Sequence, residues 1–327
     1  MKIRFGVVGT SDITDWFLAG AELESRFELA AVYSRSYEKG RRFADKYGVI
    51  KVFTDFETMA ECIDAVYIAS PNSCHAGQAI YFMKLGKHLL CEKPLCSNAA
   101  EARRMFEAAK ENNVLLMEAM VSTLNPNYLA LRNNISKIGE IRKYFASYCQ
   151  YSSRYDKYKA GIIENAFKNE LSNGALVDIG IYTIYPMVVL FGRPKSIKAS
   201  GGILESGVDG AGAAIFDYDG MEAIINYSKI SDSDAPAEVQ GEEGSLVLDK
   251  INIPRHLWFR PRNGEEQDLS APHCGDDYYY EIKDFIDLIE SGKTAHPINS
   301  PENSLIVMEI MDEIRRQIGL VYRADLC

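Results

Sequence analysis

The chain opens on a short apolar run, Ile3–Val8, then Gly9-Thr10-Ser11-Asp12-Ile13-Thr14, then a stretch with Trp16, Phe17 and Leu18 at helical spacing. That order predicts a buried strand, a tight turn and a helix. The unit recurs. Phe27–Tyr33 precedes a helix bearing Lys39, Arg41 and Arg42; a short strand at 51–53 precedes a helix at 54–61; residues 64–69 precede a helix with Ala79, Ile80, Phe82, Met83 and Leu85 that stops at Gly86. Residues 87–91 lead through Glu92-Lys93-Pro94 into a helix at 98–111, and a strand at 114–118 closes the series. Apolar runs alternating with helices predict an α/β domain with a doubly wound parallel sheet over residues 1–120.

Beyond residue 120 the rhythm changes. A helix from 125 to 136 ends before Gly139, and alternating strands follow at 141–148, 195–200, 212–218, 222–229, 245–249 and 257–259. Turns such as Asp217-Tyr218-Asp219-Gly220 and Gly241-Glu242-Glu243-Gly244 predict a predominantly antiparallel sheet. Amphipathic helices at 276–291 and 302–318 complete a second, α+β domain over residues 121–327.

Size and charge narrow the function. At 327 residues with 47% hydrophobic and 25% charged content, the chain suits two globular domains. The 36 Lys and Arg against 46 Asp and Glu give a net charge of −10, which argues against nonspecific binding to nucleic acid or an anionic membrane. The N-terminus leads straight into a strand and no run is read as a membrane helix, so a cytoplasmic protein is expected. Cysteines 62, 74, 91, 96, 149, 274 and 327 form no CxxC pair and the five histidines no HxxxH pair, so neither a disulfide framework nor a metal is expected.

The candidate chemistry lies at strand ends. Lys93, just past a buried strand, can donate a hydrogen bond or carry a proton, and Pro94 restricts its backbone. As loop charges before a helix, Glu92 and Lys93 would mean nothing. Gly9, Thr10, Ser11, Asp12 and Ile13 form a turn into a helix N-terminus, suited to a pyrophosphate. Only the first glycine of G-x-G-x-x-G is present, with Ser11 and Thr14 in the other two places, and a bare strand-turn-helix has the same pattern. The second strand ends in Ser34-Arg35-Ser36 without an acid, which favours NADP over NAD, NAD remaining possible; a solvated Arg35 is the bland alternative. Ser70, Pro71 and Asn72 suit the nicotinamide ribose and pyrophosphate, and His75 could reach a ribose hydroxyl or merely cap its helix. In the second half, a helix seeded at Asp178 would present Asp178 and Tyr182 on one face. With Lys93 they could run a proton relay; a buried tyrosine with a capping aspartate reads the same way.

The Gly9 turn, Ser34-Arg35, Ser70-Pro71-Asn72 with His75, Glu92-Lys93-Pro94 and Asn173-Gly174-Ala175-Leu176-Val177-Asp178-Ile179-Gly180-Ile181-Tyr182 occur in order. Together they resemble the Gfo/Idh/MocA oxidoreductases over essentially the whole chain, specifically the tyrosine-bearing branch with dihydrodiol dehydrogenases and glucose-fructose oxidoreductase. The resemblance implies a Rossmann domain joined to an open-sheet domain, hydride transfer between a nicotinamide and a sugar-like or diol substrate, and a homodimer or larger assembly. It implies that Lys93 contacts nicotinamide ribose and substrate, that Tyr182 is the acid/base, and that Asp178 orients substrate or relays. Tyr185 stands where histidine-type members carry an acid or amide, so inositol-type specificity is not expected to transfer. Side chains such as Tyr151, Tyr155, Asn165 and Asn169 are expected to shape the pocket. The alternative function is a noncatalytic NAD(P)H-sensing protein, which would not need Lys93, Asp178 and Tyr182 together.

Overall fold

The computed structural model describes residues 2–326. In chain order the elements are β1 (Ile3–Val8), α1 (Asp12–Ala21), β2 (Phe27–Tyr33), α2 (Tyr37–Lys46), β3 (Val52–Phe53), α3 (Phe56–Ala60), β4 (Ala65–Ile68), α4 (Asn72–Lys84), β5 (His88–Glu92), α5 (Ala99–Glu111) and β6 (Leu116–Ala119). There follow α6 (Val121–Leu124), α7 (Pro126–Asn134), β7 (Ile141–Cys149), α8 (Tyr155–Lys159), α9 (Ile181–Phe191), β8 (Ser196–Ile203), β9 (Asp209–Asp217) and β10 (Glu222–Ser228). The chain ends with β11 (Ala237–Gly241), β12 (Gly244–Leu248), β13 (Leu257–Pro261), β14 (Gln267–Asp268), α10 (Tyr278–Glu290) and α11 (Pro301–Ile318). Two compact units result, Met1–Met120 with Gly275–Ser304, and Val121–Cys274 with Leu305–Cys327.

In the first unit six parallel strands run in the order β3-β2-β1-β4-β5-β6. Order reverses between β1 and β4, the switch point outside which such sheets bind ligands. Phe5, Val7, Ala65, Val66, Tyr67, Ile68, Leu89 and Leu90 are fully buried, because helices cover both faces of a parallel sheet. Phe17 of α1 stacks on Tyr67 at 3.6 Å.

Residues 275–304, placed by the sequence reading in the second half, pack with this first unit. The reason is a close helix pair: the Cβ that Gly20 lacks would stand 2.7 Å from the Tyr278 Cβ, so α10 lies directly on α1. Phe285 packs 5.8 Å from Phe5, and Arg26 bridges Asp287 and Glu290 at 2.7 Å each.

The second unit holds an eight-stranded sheet in the order β14-β13-β12-β11-β7-β10-β9-β8. Every neighbouring pair is antiparallel except β7 and β10, which pair in parallel. The hairpins β9–β10 and β11–β12 turn where the sequence places them. Strand β11 escapes a periodicity reading because Ala237-Glu238-Val239-Gln240-Gly241 holds one large apolar side chain.

Residues Asn169–Phe191 are, against the sequence reading, long and apolar enough to pass for a membrane span, but most of the stretch is buried inside the unit. Cys62, Cys74, Cys91, Cys96, Cys149 and Cys274 are free thiols, and Cys327 lies outside the described residues.

Candidate active site

The turn after β1 is built around Gly9. Its φ of 118° suits glycine, and a Cβ there would collide with the Ala69 carbonyl oxygen at the end of β4. Thr14 Oγ1 donates to the Gly9 carbonyl at 3.1 Å and pins the turn against α1. Ser11 occupies the N-cap without a capping side-chain bond; its carbonyl accepts from the Thr14 and Asp15 amides, so the amides of Asp12 and Ile13, next to Thr10 and Ser11, are the ones placed to meet an incoming anion. These features fit a pyrophosphate.

At the end of β2, Ser34 accepts from the Ser36 amide at 3.3 Å, and Ser36 caps α2 by accepting from Lys39. Arg35 is exposed and, among the described residues, has no ion-pair partner. At the end of β4, Ser70 Oγ donates to Gln78 Oε1 at 2.6 Å, Pro71 occupies the N-cap of α4 and Asn72 begins it. His75 is buried, its ring nitrogens 3.0 Å from the Pro94 carbonyl and 2.8 Å from the Ser70 carbonyl. Burial pushes its pKa down, so one nitrogen donates and the other merely abuts its carbonyl. His75 therefore clamps two loops together, with both nitrogens facing backbone carbonyls, whereas the sequence reading offered a ribose hydroxyl or a helix cap.

That clamp is one of several on the segment that carries Lys93. Glu92 Oε1 accepts from the Tyr67 hydroxyl at 2.5 Å, and Glu118 Oε1 accepts from the Leu95 amide at 2.8 Å. The Lys93–Pro94 peptide is cis, and Lys93 is half-buried. Burial pushes Glu118 up to about 7, opposed by its bonds to Ser304 and Leu95 and by the Lys93 charge, and assisted by Glu92. Glu281 is fully buried, its carboxyl has no hydrogen-bond partner among the described residues, and burial with Glu92, Asp276 and Asp277 nearby raises it well above the carboxylate range. Sequence reasoning missed Glu118 and Glu281. Glu118 had a signal, an acid ending the next buried strand; Glu281, inside an amphipathic helix, had none.

In the second unit the motif segment is fixed by Asp209. Its Oδ2 accepts from the Leu176 amide at 2.8 Å, and Gly174, at φ 149°, leaves room for the carboxyl where a Cβ would overlap Oδ1. Burial raises Asp209 to about 6, against its backbone bonds to Leu176 and Ala175 and the Lys229 charge. A π-helical turn, Leu176–Gly180, feeds α9 in place of the regular helix expected. Gly180 presses on the Tyr227 ring, 3.0 Å from where its Cβ would be, and Pro186 cannot donate to the Tyr182 carbonyl one turn earlier.

Asp178 sits in that turn and Tyr182 in the first turn of α9, both half-buried. Asp178 Oδ2 pairs with Lys229 Nζ at 2.5 Å, and the Tyr182 ring meets Tyr148 edge-on at 5.5 Å. Lys229 was not foreseen, since it lies just past β10, 51 residues later in the chain. Tyr185 is fully buried, so the argument that it bars inositol-type substrates fails: it lies in the core. Of the other side chains expected to shape a pocket, Asn169 is spent on the Gly207 and Val321 carbonyls and the Asn165 carbonyl accepts from Asn173. Tyr151 donates to Asp156, and Tyr155 packs among Tyr151, Tyr158 and Phe167.

Glu118 gives a pH test. An ordinary carboxyl near 4.5 in the unfolded chain and near 7 in the fold stabilises fully below 4.5 and loses that contribution as pH rises through 7. The span corresponds to about 3 kcal/mol. Thermal melting from pH 4 to 8 is expected to show Glu118→Gln gaining on wild type as pH rises; parallel curves would remove Glu118 as the titrating group.

Residues 3–120 match the family described as an oxidoreductase family with an NAD-binding Rossmann fold, and residues 130–247 match the GFO/IDH/MocA C-terminal domain. The chain is 50% identical to scyllo-inositol 2-dehydrogenase (NADP(+)) IolU of Bacillus subtilis, covering 99% of both chains. It is 29% identical to trans-1,2-dihydrobenzene-1,2-diol dehydrogenase of Xenopus tropicalis, covering 98% of this chain and all of the relative. A 3-ketoreductase from Actinomadura kijaniata in complex with NADP and TDP-benzene superposes with a TM-score of 0.84 at 26% identity, covering 97% of this chain and 98% of that one. With a nucleotide turn at the switch point of one sheet, and both parts of the chain matched, this protein belongs to the Gfo/Idh/MocA family of NAD(P)-dependent oxidoreductases.

Proposed function

We propose that the protein is an NADP-preferring dehydrogenase that moves hydride between the nicotinamide and a carbinol carbon of a cyclic polyol or related sugar-like or diol substrate. The observation that carries this reading is that in each unit a buried carboxyl holds the backbone of the segment bearing the motif residues, Glu118 at Leu95 two residues past Lys93 and Asp209 at Leu176 two residues before Asp178, in the turn that leads into Tyr182. The dehydrogenase from Bacillus subtilis, at 50% identity, supports the inositol class of substrate and NADP. The nicotinamide, when bound, accepts or returns the hydride. In the oxidative direction, Tyr182 takes the proton of the substrate hydroxyl. Lys93 lowers the cost of the phenolate, and Asp178 accepts from a neighbouring hydroxyl and orients the ring.

Gly9, Thr10, Ser11, Asp12 and Ile13 would hold the pyrophosphate, and Ser34 with Arg35 the 2′-phosphate. Ser70, Pro71, Asn72 and Glu92 would line the nicotinamide ribose, with His75 setting their loops. A homodimer is part of the proposal: on one face of the second sheet Ile224 stands between Ile215 and Phe145, and Ile215 is 48% exposed, an apolar row suited to a second copy.

Lys93→Ala and Tyr182→Phe are each expected to lower turnover of the polyol by about 10²-fold or more, while Tyr182→Phe still binds NADPH. Near-normal turnover in both would exclude them from the mechanism; no turnover in the wild-type chain with NADPH still bound would favour the nucleotide-sensing alternative. In fluorescence titrations Arg35→Ala is expected to weaken NADPH more than NADH; equal losses would show that Arg35 does not read the phosphate.

A further inference from the structure

The least expected group near the motif segment is the ammonium of Lys229. It is 4% exposed, whereas its partner Asp178 is 36% exposed. The Lys229 amide donates to the Gly210 carbonyl at 2.9 Å, which fixes the side chain's root where β10 ends beside β9. Its Nζ reaches Asp178 Oδ2 at 2.5 Å and the Ala166 carbonyl at 3.4 Å, and lies 5.1 Å from the centre of the Phe167 ring. A carboxylate, a carbonyl and an aromatic face together satisfy a buried ammonium. Without them the charge would not be tolerated there.

The pair is one-sided. Its cation is enclosed and its anion faces outward, so a ligand approaching this part of the unit meets the carboxylate and not the lysine.

We propose that Lys229 is a positioning residue that acts through Asp178, holding it as an oriented, acceptor-only carboxylate that binds a polyol hydroxyl and takes no part in proton relay. This rests on the reading above that Asp178 belongs to the substrate site. A carboxylate offers about four lone-pair positions, and an ammonium fixed on Oδ2 sets the direction of the others. An uncharged polyol suits a site whose anion is already neutralised from behind, because its hydroxyls donate without bringing a second charge. Lys229 does not itself touch substrate. Its loss should therefore be felt as loss of Asp178's orientation.

The test is a double-mutant cycle on the full chain, with steady-state kinetics on scyllo-inositol and NADP. Lys229→Met, similar in volume and uncharged, is expected to lower kcat/KM about tenfold or more, mainly by raising KM, with NADP affinity within about twofold of wild type. Asp178→Asn is expected to show a comparable loss, and the double variant to fall no further than about threefold below either single one. Lys229→Arg, which keeps the charge, should recover part of the loss. Losses that multiply in the double variant, or a loss confined to kcat with KM unchanged, would overturn the proposal while leaving Asp178 in the site. Undiminished kcat/KM in Asp178→Asn would instead overturn the reading of the site itself, and the proposal with it. Thermal melting of each variant separates these results from misfolding: if Lys229→Met melts well below wild type, the cycle is read from Lys229→Arg, whose normal KM supports the charge role and whose Met-like KM overturns it.

Discussion

One interaction appears twice in this protein: a fully buried carboxyl accepts a backbone amide of a motif segment. In the first unit Glu118 accepts from Leu95, two residues past Lys93. In the second, Asp209 accepts from Leu176, two residues before Asp178. A carboxyl bound to the backbone fixes the direction in which the neighbouring side chain leaves the chain. Such preorganisation is what positions a proton donor or acceptor for catalysis.

The arrangement has an electrostatic consequence. Desolvation raises Glu118 to about 7 and Asp209 to about 6, despite the hydrogen bonds that favour their charged forms. Both carboxyls therefore titrate near neutral pH while buried, and the local charge about each motif segment changes over the same range. Burial, with Glu92, Asp276 and Asp277 nearby, also raises Glu281 well above the carboxylate range. The enclosed ammonium of Lys229 works in the opposite sense, lowering Asp209 and pairing with Asp178.

Sterics set the remaining limits. Gly9 and Gly174 occupy backbone conformations that favour glycine, and each also stands where a Cβ would strike an oxygen, of Ala69 and of Asp209 respectively. Each glycine thus brings a polar group within reach of a functional turn. Gly180 does the same for packing, letting the motif turn lie on Tyr227. Within Asn173-Gly174-Ala175-Leu176-Val177-Asp178-Ile179-Gly180, Gly174 is closed to a side chain by Asp209, and a side chain at Gly180 would press on the Tyr227 ring.

The alternation of apolar runs and helices was enough to determine the parallel sheet and the strand ends at Gly9, Ser34, Ser70 and Lys93, because a doubly covered strand must be apolar throughout and its end must not be; the strand order and its switch point came only with the fold. Hairpins at Gly220 and Gly244 were legible for the same local reason. What linear order could not carry was any partnership made across the fold. Helix α10 joins the first unit because Gly20 lets it lie on α1; His75 is a clamp because Pro94 and Ser70 converge on it; Lys229 meets Asp178 because β10 ends beside the π turn; and Tyr185, polar by composition, is core by position. Periodicity reports which face of an element is buried, whereas the identity of the group buried against it is decided only when distant strands and helices are packed together.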